Sequence, residues 1–391
     1  MAQSISQEAI GATGLPGATA ASRHAGATAS GAPTTGTFAV GDFVVDQTGA
    51  MYVCTVAGTP GTWQLSGVSV NENIAGKNFL INGGMDIWQR GTSFVSTTYP
   101  AYNADRWQIN NVLTTATTVS QVASGLTGFQ YATRIQRQSG QTGTANINIG
   151  QSIETKNSIP MAGQTVTFSF WARAGANYSA TSNALNPRVV SGTGTDENVI
   201  YGYTGASYPI NTNVTLTTSW QRFTLTATIS STATELGVYF VFNPTGTAGT
   251  NDYFDISGVQ LEIAPQATPF SRAGGSIGGE LALCQRYYQQ PGGVSYQYFA
   301  NGYFTSTTQF NLIYPLPVTM RTSPSFSSSG VSNFNMQSST TFTATAFLSD
   351  VTSPTSCGLY LTGLSGATIG RGGILQAVGS TAAALYFNAE L

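Results

Sequence analysis

Alternation of aromatic or aliphatic residues with threonine and serine is the feature that most limits how this chain can fold. Val166, Phe168 and Phe170 alternate with threonine and serine, and the segment 223–229 repeats the pattern. Successive side chains of a strand point to opposite faces of its sheet, so each such strand has one apolar and one polar face. We expect an antiparallel sandwich whose threonine face is in contact with water.

Composition supports an all-β protein with cores. Of 391 residues, 41% are hydrophobic and 11% aromatic, while 8% are charged and the net charge is -2. Threonine and aromatic residues fit a half-buried pleated surface. So little positive charge argues against nucleic acid as a partner. The first residues have no basic flank before an apolar stretch, and no apolar run is long enough for a membrane span, so we expect neither a secretion signal nor membrane insertion.

Turn signals and composition divide the chain into four predicted regions. They are a low-complexity extended segment at 1–36, a small β module at 37–70, an antiparallel β-sandwich at 71–275, and a C-terminal β domain with one short helix at 276–391. The first region is too poor in large apolar side chains to order itself alone. Its triplets GAT-GLP-GAT are either collagen-like or part of a glycine-rich tether.

Several kinds of catalytic chemistry are disfavoured. The single histidine, His24, lies in the low-complexity segment, so a histidine-based triad in the folded regions is not expected. Cys54, Cys284 and Cys357 are widely separated and odd in number, which indicates reduced thiols. No phosphate-binding loop or dinucleotide fingerprint is present.

Six segments, in order, resemble a module of bacteriophage tail-fibre and related virion surface proteins. They are NFLINGGMDIWQRGTSF from Asn78, YNADRWQI from Tyr102, QTVTFSFWARA from Gln164, TSWQRFTLTATI from Thr218, DISGVQLEIAPQATPFSR from Asp255 and ELALCQRYYQ from Glu280. The resemblance implies that the central region is a jelly roll like those of carbohydrate-binding modules. It also implies a homotrimer on the virion surface that is made in the bacterial cytoplasm.

Paired carboxylates are the catalytic alternative, because glycoside hydrolysis needs only two acids beside the bond. The available acids are Asp86, Asp105, Glu154, Asp196, Glu197, Asp255 and Glu262. The other interpretation, which we favour, is that they cap turns, pair with arginine or face water. We therefore expect a protein that is not an enzyme and requires no cofactor.

The resemblance also implies a structural calcium ion. In such jelly rolls, an acid after an N-terminal Asn-Gly pair and an acid on the last strand together hold the ion, and Asp86 and Asp255 match those positions. The alternative is that both acids are hydrogen-bonded to backbone at strand ends.

Tyrosines in segments rich in Gly and Ser are the candidate glycan contacts. Their rings could stack on a sugar while the hydroxyl groups form hydrogen bonds. Core packing is the equal alternative for each of them. The candidates are Tyr201, Tyr203, Tyr208, Tyr296, Tyr298 and Tyr303.

The predicted function is that of a tail fibre. Its N-terminal segment would attach to tail or baseplate proteins of the virion, and its folded regions would bind host cell-surface polysaccharide for adsorption. A trimer would strengthen weak sugar binding through multivalency. The alternatives are a capsid (head) fibre or decoration protein and, with less support, a polysaccharide depolymerase.

Overall fold

A computed structural model describes residues 24–47, 50–66, 75–96, 101–111, 116–379 and 383–391. The chain forms two compact units, Met1–Asn71 and Glu72–Leu391. The GAT-GLP-GAT triplets and most of the predicted attachment segment lie outside the described residues.

The first unit contains a four-stranded sheet. Its strands, in spatial order, are β1 (His24–Thr28), β2 (Phe43–Asp46), β3 (Met51–Val56) and β4 (Thr62–Ser66). Strand β1 pairs with β2 in parallel and the other pairs are antiparallel. The low-complexity segment thus contributes an ordered strand, because the backbone of 24–28 pairs with β2 and the His24 ring lies 5.3 Å from that of Phe43.

The second unit begins with a sandwich. Its strands are β5 (Ser93–Ser96), β6 (Ala101–Tyr102), β7 (Gln108–Asn111), β8 (Thr117–Ala123), β9 (Tyr131–Arg137), β10 (Ile147–Ile153), β11 (Thr165–Ala174), β12 (Ala184–Gly192), β13 (Ser207–Asn211), β14 (Val214–Thr215), β15 (Gln221–Thr228), β16 (Glu235–Phe242) and β17 (Tyr253–Ile263). One sheet has the order β13-β12-β16-β10-β7-β6, with β14 beside β12. The other has the order β15-β11-β17-β9-β8-β5. The predicted all-β jelly-roll sandwich is confirmed.

The sandwich core follows from the alternation in the sequence. Phe168 and Phe170 on β11 pack against Phe240 on β16 of the facing sheet, with ring centroids 5.6 and 4.9 Å apart. The expectation of a wet threonine face holds on β15, where Thr224 is exposed, but is wrong for β11. There Thr167 is fully buried, because the segment that follows β17 lies over it. The Thr167 hydroxyl donates a hydrogen bond to the carbonyl of Ala264 in that segment.

The sandwich also contains a single helical turn, α1 (Thr155–Ser158), and 3-10 turns at Ile159–Met161 and Thr181–Asn183. The short helix predicted within 276–391 is confirmed as α2 (Ile277–Gln285). Ser276 caps it by accepting a hydrogen bond from the amide of Gly279. None of the described helices is long and apolar enough to cross a membrane.

The rest of the second unit is again β. Its strands are β18 (Tyr288–Gln289), β19 (Tyr298–Ser306), β20 (Gln309–Pro315), β21 (Ser325–Ser328), β22 (Phe334–Gln337), β23 (Thr341–Phe342), β24 (Ala346–Thr352), β25 (Ser356–Thr362), β26 (Gly372–Ala377) and β27 (Leu385–Asn388), with a 3-10 turn at Val331–Asn333. A seven-stranded sheet has the order β23-β22-β26-β19-β20-β25-β24, and β18, β27 and β21 form a small sheet. A second apolar core fills this part of the chain.

Ion pairs join the sandwich to the C-terminal residues. Glu390 pairs with Arg90 and Arg106, both from the segments at the start of the sandwich. Arg286, which follows α2, forms a two-pronged pair with Glu154 at 2.9 and 3.0 Å. The sandwich and the C-terminal sheets are therefore linked by charge-assisted hydrogen bonds.

Candidate functional site

A row of asparagines crosses the outer face of the seven-stranded sheet of the sandwich. Asn148 on β10 is opposite Asn110 on β7, and Val241 on β16 is the register partner of both Asn148 and Asn186 on β12. These residues alternate with core residues such as Ile149, so their side chains lie on the face away from the core. We call Asn110, Asn148 and Asn186 the amide row.

Two side-chain oxygens of this row lack hydrogen-bond partners among the residues that the structure describes. The side-chain oxygens of Asn110 and Asn148 are buried and accept no hydrogen bond from any residue that the structure describes. A buried polar atom without a partner costs about 1–3 kcal/mol, so a group of them calls for an explanation. A ligand that supplies the missing donors is one explanation.

An arginine and two tyrosines extend the amide row on its open side. Arg188 on β12 is paired in register with Tyr239 on β16, and its Nη1 donates to the Tyr239 hydroxyl at 2.9 Å. Its Nε donates to the side-chain oxygen of Asn186. The Arg188 guanidinium also lies 5.7 Å from the ring centre of Tyr208, which is exposed. Burial raises the pKa of Tyr239, so its hydroxyl stays protonated at neutral pH.

The 198–203 loop covers the adjoining part of the same face and also Val241, the residue that lies between Asn148 and Asn186 in the row. The Asn198 amide donates to the side chain of Gln108 at 2.8 Å and to the backbone oxygen of Leu391 at 3.0 Å. Val199 and Tyr203 pack on Tyr239 and Val241 in a small apolar cluster. The 198–203 loop therefore closes one side of the face.

The predicted tyrosine contacts fall into two groups. Tyr203 is 6% exposed and donates to the carbonyl of Leu236, so core packing, the alternative from the sequence, describes it. The rings of the other five are exposed. Of these, Tyr208 lies beside Arg188 of the face just described, and Tyr303 lies on the C-terminal sheet. The exposed five are Tyr201, Tyr208, Tyr296, Tyr298 and Tyr303.

The two carboxylates proposed for calcium are each engaged by arginine. Asp255 receives Arg134 and Arg173, each at 2.8 Å, while Asp86 receives Arg272 at 2.7 Å. Guanidinium groups in these positions supply positive charge where a cation would have to bind, so the two acids do not fit a calcium site. In the described ranges, no group of three or more His, Cys, Asp or Glu side chains is placed to hold a metal ion.

The remaining candidate acids also have partners. Asp105 accepts from Gln89, Glu154 from Arg286 and Asp196 from Thr155, while Glu197 binds Thr204 and Glu262 binds Thr268. Burial would raise the pKa of Glu154, but hydrogen bonds from Arg286, Tyr287 and Lys156 outweigh it and lower that pKa to about 2. A carboxyl group with so low a pKa is a poor general acid at neutral pH.

The aromatic and glycine-rich segments that stand out in the sequence have structural roles in the sandwich. The Asn78 amide donates to the carbonyls of Val259 and Ser271. Gly83 lies so close to β17 that a Cβ atom there would be 2.0 Å from the oxygen of Val259. Trp107 is fully buried. These segments pack against β17, whereas Asn110, Asn148 and Asn186 lie outside the six segments that the sequence analysis singled out.

No protein-family model and no curated protein matches the sequence. Solved structures are similar to part of it. The carbohydrate-binding module CBM4 covers 47% of this chain and 98% of its own, at 22% identity and a TM-score of 0.31. The C-terminal family 22 carbohydrate-binding module of Clostridium thermocellum Xyn10B covers 50% of this chain and 99% of its own, at 12% identity and a TM-score of 0.31.

A virion protein is also among the similar structures. The enzymatically active domain of tailspike protein 4 from bacteriophage CBA120 covers 48% of this chain and 22% of its own, at 12% identity and a TM-score of 0.27. Because all three TM-scores are low, these likenesses carry no argument about what this chain binds.

Proposed function

We propose that this chain is a non-enzymatic bacteriophage fibre protein that binds a glycan of the host surface on the outer face of the sandwich. The observation that carries the binding proposal is the amide row, with the unpaired side-chain oxygens of Asn110 and Asn148. The ordered resemblance of six segments to phage fibre modules supports the fibre role.

The chemistry of the face suits a sugar. An asparagine amide can donate and accept at once, and so can a sugar hydroxyl. Asn148 is half-buried and can pair with a hydroxyl, whereas Asn110 and Asn186 are 4% and 7% exposed. Arg188 keeps its Nη2 without a partner among the described residues and can donate to a further oxygen. The exposed ring of Tyr208 offers a surface for the apolar face of a sugar ring.

A non-enzymatic role is supported by the state of the acids. Each of the seven candidate carboxylates is hydrogen-bonded to a neighbouring group, and Asp255 lies between two arginines. Hydrolysis of a glycosidic bond needs one acid that holds a proton and a second that faces the sugar. Incubation with host polysaccharide should therefore release no new reducing ends, and their accumulation would make the protein a depolymerase.

The assembly proposed for the chain is a homotrimer attached to tail or baseplate proteins through residues 1–36. Three copies would present three weak glycan sites at once and raise the overall avidity. Light scattering of the purified chain should give three times the mass of one chain. A stable monomer at micromolar concentration would contradict this part of the proposal.

Two experiments test the function. Fluorescently labelled full-length chain should bind defined members of an array of bacterial surface polysaccharides, and Asn148→Leu should lose that binding while Thr224→Ala, on the opposite sheet, retains it. Gold-labelled antibody on virions that carry the chain should decorate the tail tip in electron micrographs. Gold over the capsid would make the protein a head fibre and remove the adsorption role.

A further inference from the structure

The outer face of the C-terminal seven-stranded sheet contains a groove of about 430 Å³. It crosses β19, β20 and β25, and Asn301, Tyr303, Asn311, Ile313, Asp350 and Gly358 contribute to its lining. Tyr303 is directly opposite Asn311, and Ile313 is opposite Gly358. Ligand sites for small molecules usually enclose several hundred cubic ångströms, so the groove is of the right size for one or two sugar rings.

The groove exposes large apolar surfaces. Tyr303 is 53% and Ile313 is 71% exposed. Gly358, on the strand beside Ile313, has no side chain, so the sheet surface is open between Ile313 and Asp350. Exposed apolar residues grouped in a concave place mark a binding surface more often than isolated ones do.

Polar groups in the groove are available to a ligand. The amide of Asn301 and the carboxylate of Asp350 form no hydrogen bond or ion pair with any residue in the described part of the chain. The side-chain oxygen of Asn311 accepts from Thr305 at 3.1 Å and Gln309 at 2.7 Å, which leaves its N–H groups for a ligand. An aromatic ring beside amides and a carboxylate is a suitable combination for a sugar, with the ring for its apolar face and the polar groups for its hydroxyls.

Charge selects among sugars. Asp350 is the charged member of the groove lining, and the segment 291–391 has Arg321, Asp350, Arg371 and Glu390 as its charged residues. Arg321 and Glu390 are occupied at the junction with the sandwich. Arg371 is exposed and precedes Gly372, the register partner of Tyr303, so it lies on the β26 side of the groove. Asp350, in contrast, lies on β24 at the other side. The Asp350 carboxylate therefore repels an acidic sugar and attracts a protonated amine.

We propose that this groove is a second glycan site, separate from the amide row, and that it takes a non-acidic sugar segment with a free amine beside Asp350. The inference rests on the proposed function for the general class of ligand, but it uses different residues on a different sheet. Tyr303 supplies the stacking surface, Asn301 and Asn311 bind hydroxyls, and Asp350 gives the preference for the amine.

Calorimetric titration of the full chain with three tetrasaccharides tests the proposal. The probes are β-1,4-linked glucosamine, the neutral glucose analogue and the acidic galacturonate. We expect the glucosamine tetramer to bind the groove about fivefold more tightly than the neutral one, as for a partly exposed ion pair, and any binding of the galacturonate tetramer to be unaffected by Tyr303→Ala. Asp350→Asn should abolish that preference, and Tyr303→Ala should weaken both amino and neutral sugars about tenfold.

Controls separate this site from the amide row. Gly358→Val fills the groove without removing a contact and should block glucosamine binding at the groove, while Thr224→Ala should leave it unchanged. Binding that survives Tyr303→Ala but is lost in Asn148→Leu would overturn the second site and leave the proposed function intact. If Tyr303→Ala instead changes the mass measured by light scattering, the groove is a contact between copies and the proposal is wrong.

Discussion

Asn148 on β10 stands opposite Asn110 on β7, and the side-chain oxygen of each is buried without a hydrogen-bond partner in the described structure. Such an arrangement costs folding free energy in the unbound protein. Residues that are unfavourable for stability are expected where function requires them. The pair therefore links the stability of the sandwich to its proposed ligand.

Asn148→Leu should leave stability unchanged or raise the free energy of unfolding by up to about 1 kcal/mol, because it removes an unpaired buried oxygen. Asn78→Leu is the matched control, since that amide is fully satisfied by Leu80, Val259, Leu261 and Ser271. It should cost about 3 kcal/mol. Urea unfolding of the two variants checks the difference, and equal losses would show that the Asn148 amide is needed by the fold.

Glu390→Gln should lower the free energy of unfolding by about 3 kcal/mol. The side chain of Arg106 is almost fully buried, and removal of its carboxylate partner leaves an uncompensated charge. Lys156→Ala is the control, because Lys156 is 61% exposed in its pair with Glu154 and should change stability by less than about 1 kcal/mol. If Glu390→Gln lowers the free energy of unfolding by as little as the control does, other groups must compensate the charge of Arg106.

Glu154 should make the protein acid-sensitive at low pH. Its folded pKa of about 2 lies below the ordinary value of 4.5 for a glutamate, so its stabilising effect is complete above pH 4.5 and is lost as the pH falls towards 2. In Glu154→Gln, this part of the pH dependence should be missing. The free energy of unfolding, measured for both proteins from pH 7 to pH 2, gives the comparison, and parallel curves would assign the acid sensitivity to other carboxylates.

A calcium chelator should leave the melting temperature unchanged. Asp86 and Asp255 already have arginine partners, so calcium would have to displace guanidinium groups from both. Melting curves with EDTA and with added calcium test this. A drop in melting temperature with EDTA that calcium reverses would restore the structural calcium suggested by the resemblance.

The sequence predicted the architecture better than the binding face. Phe168 and Phe170 showed the strand period clearly, and α2 could be recognised from its apolar spacing. The burial of Thr167 could not be predicted, because it depends on where the segment after β17 crosses the sheet. Nor could the sequence separate Tyr203, which is buried, from Tyr201, which is exposed, since both lie among glycine and serine.

The amide row was missed for a related reason. Asparagine is usually a turn signal, so a single Asn does not mark a strand in the sequence. A better signal was available in Ile147-Asn148-Ile149, where an amide alternates with core residues. The same alternation occurs at Ile109-Asn110 and Leu185-Asn186. What the sequence could not provide is the register that places the three amides in one row.

The most direct test of the central claim is the affinity of the full-length chain for the polysaccharide that it binds best on the array. Calorimetric titration should compare the wild type with Asn148→Leu, with Thr224→Ala as the control and with the melting temperature of each recorded. We expect Asn148→Leu to lose at least about tenfold in affinity at an unchanged or higher melting temperature. An affinity equal to that of the wild type would contradict a glycan site at the amide row.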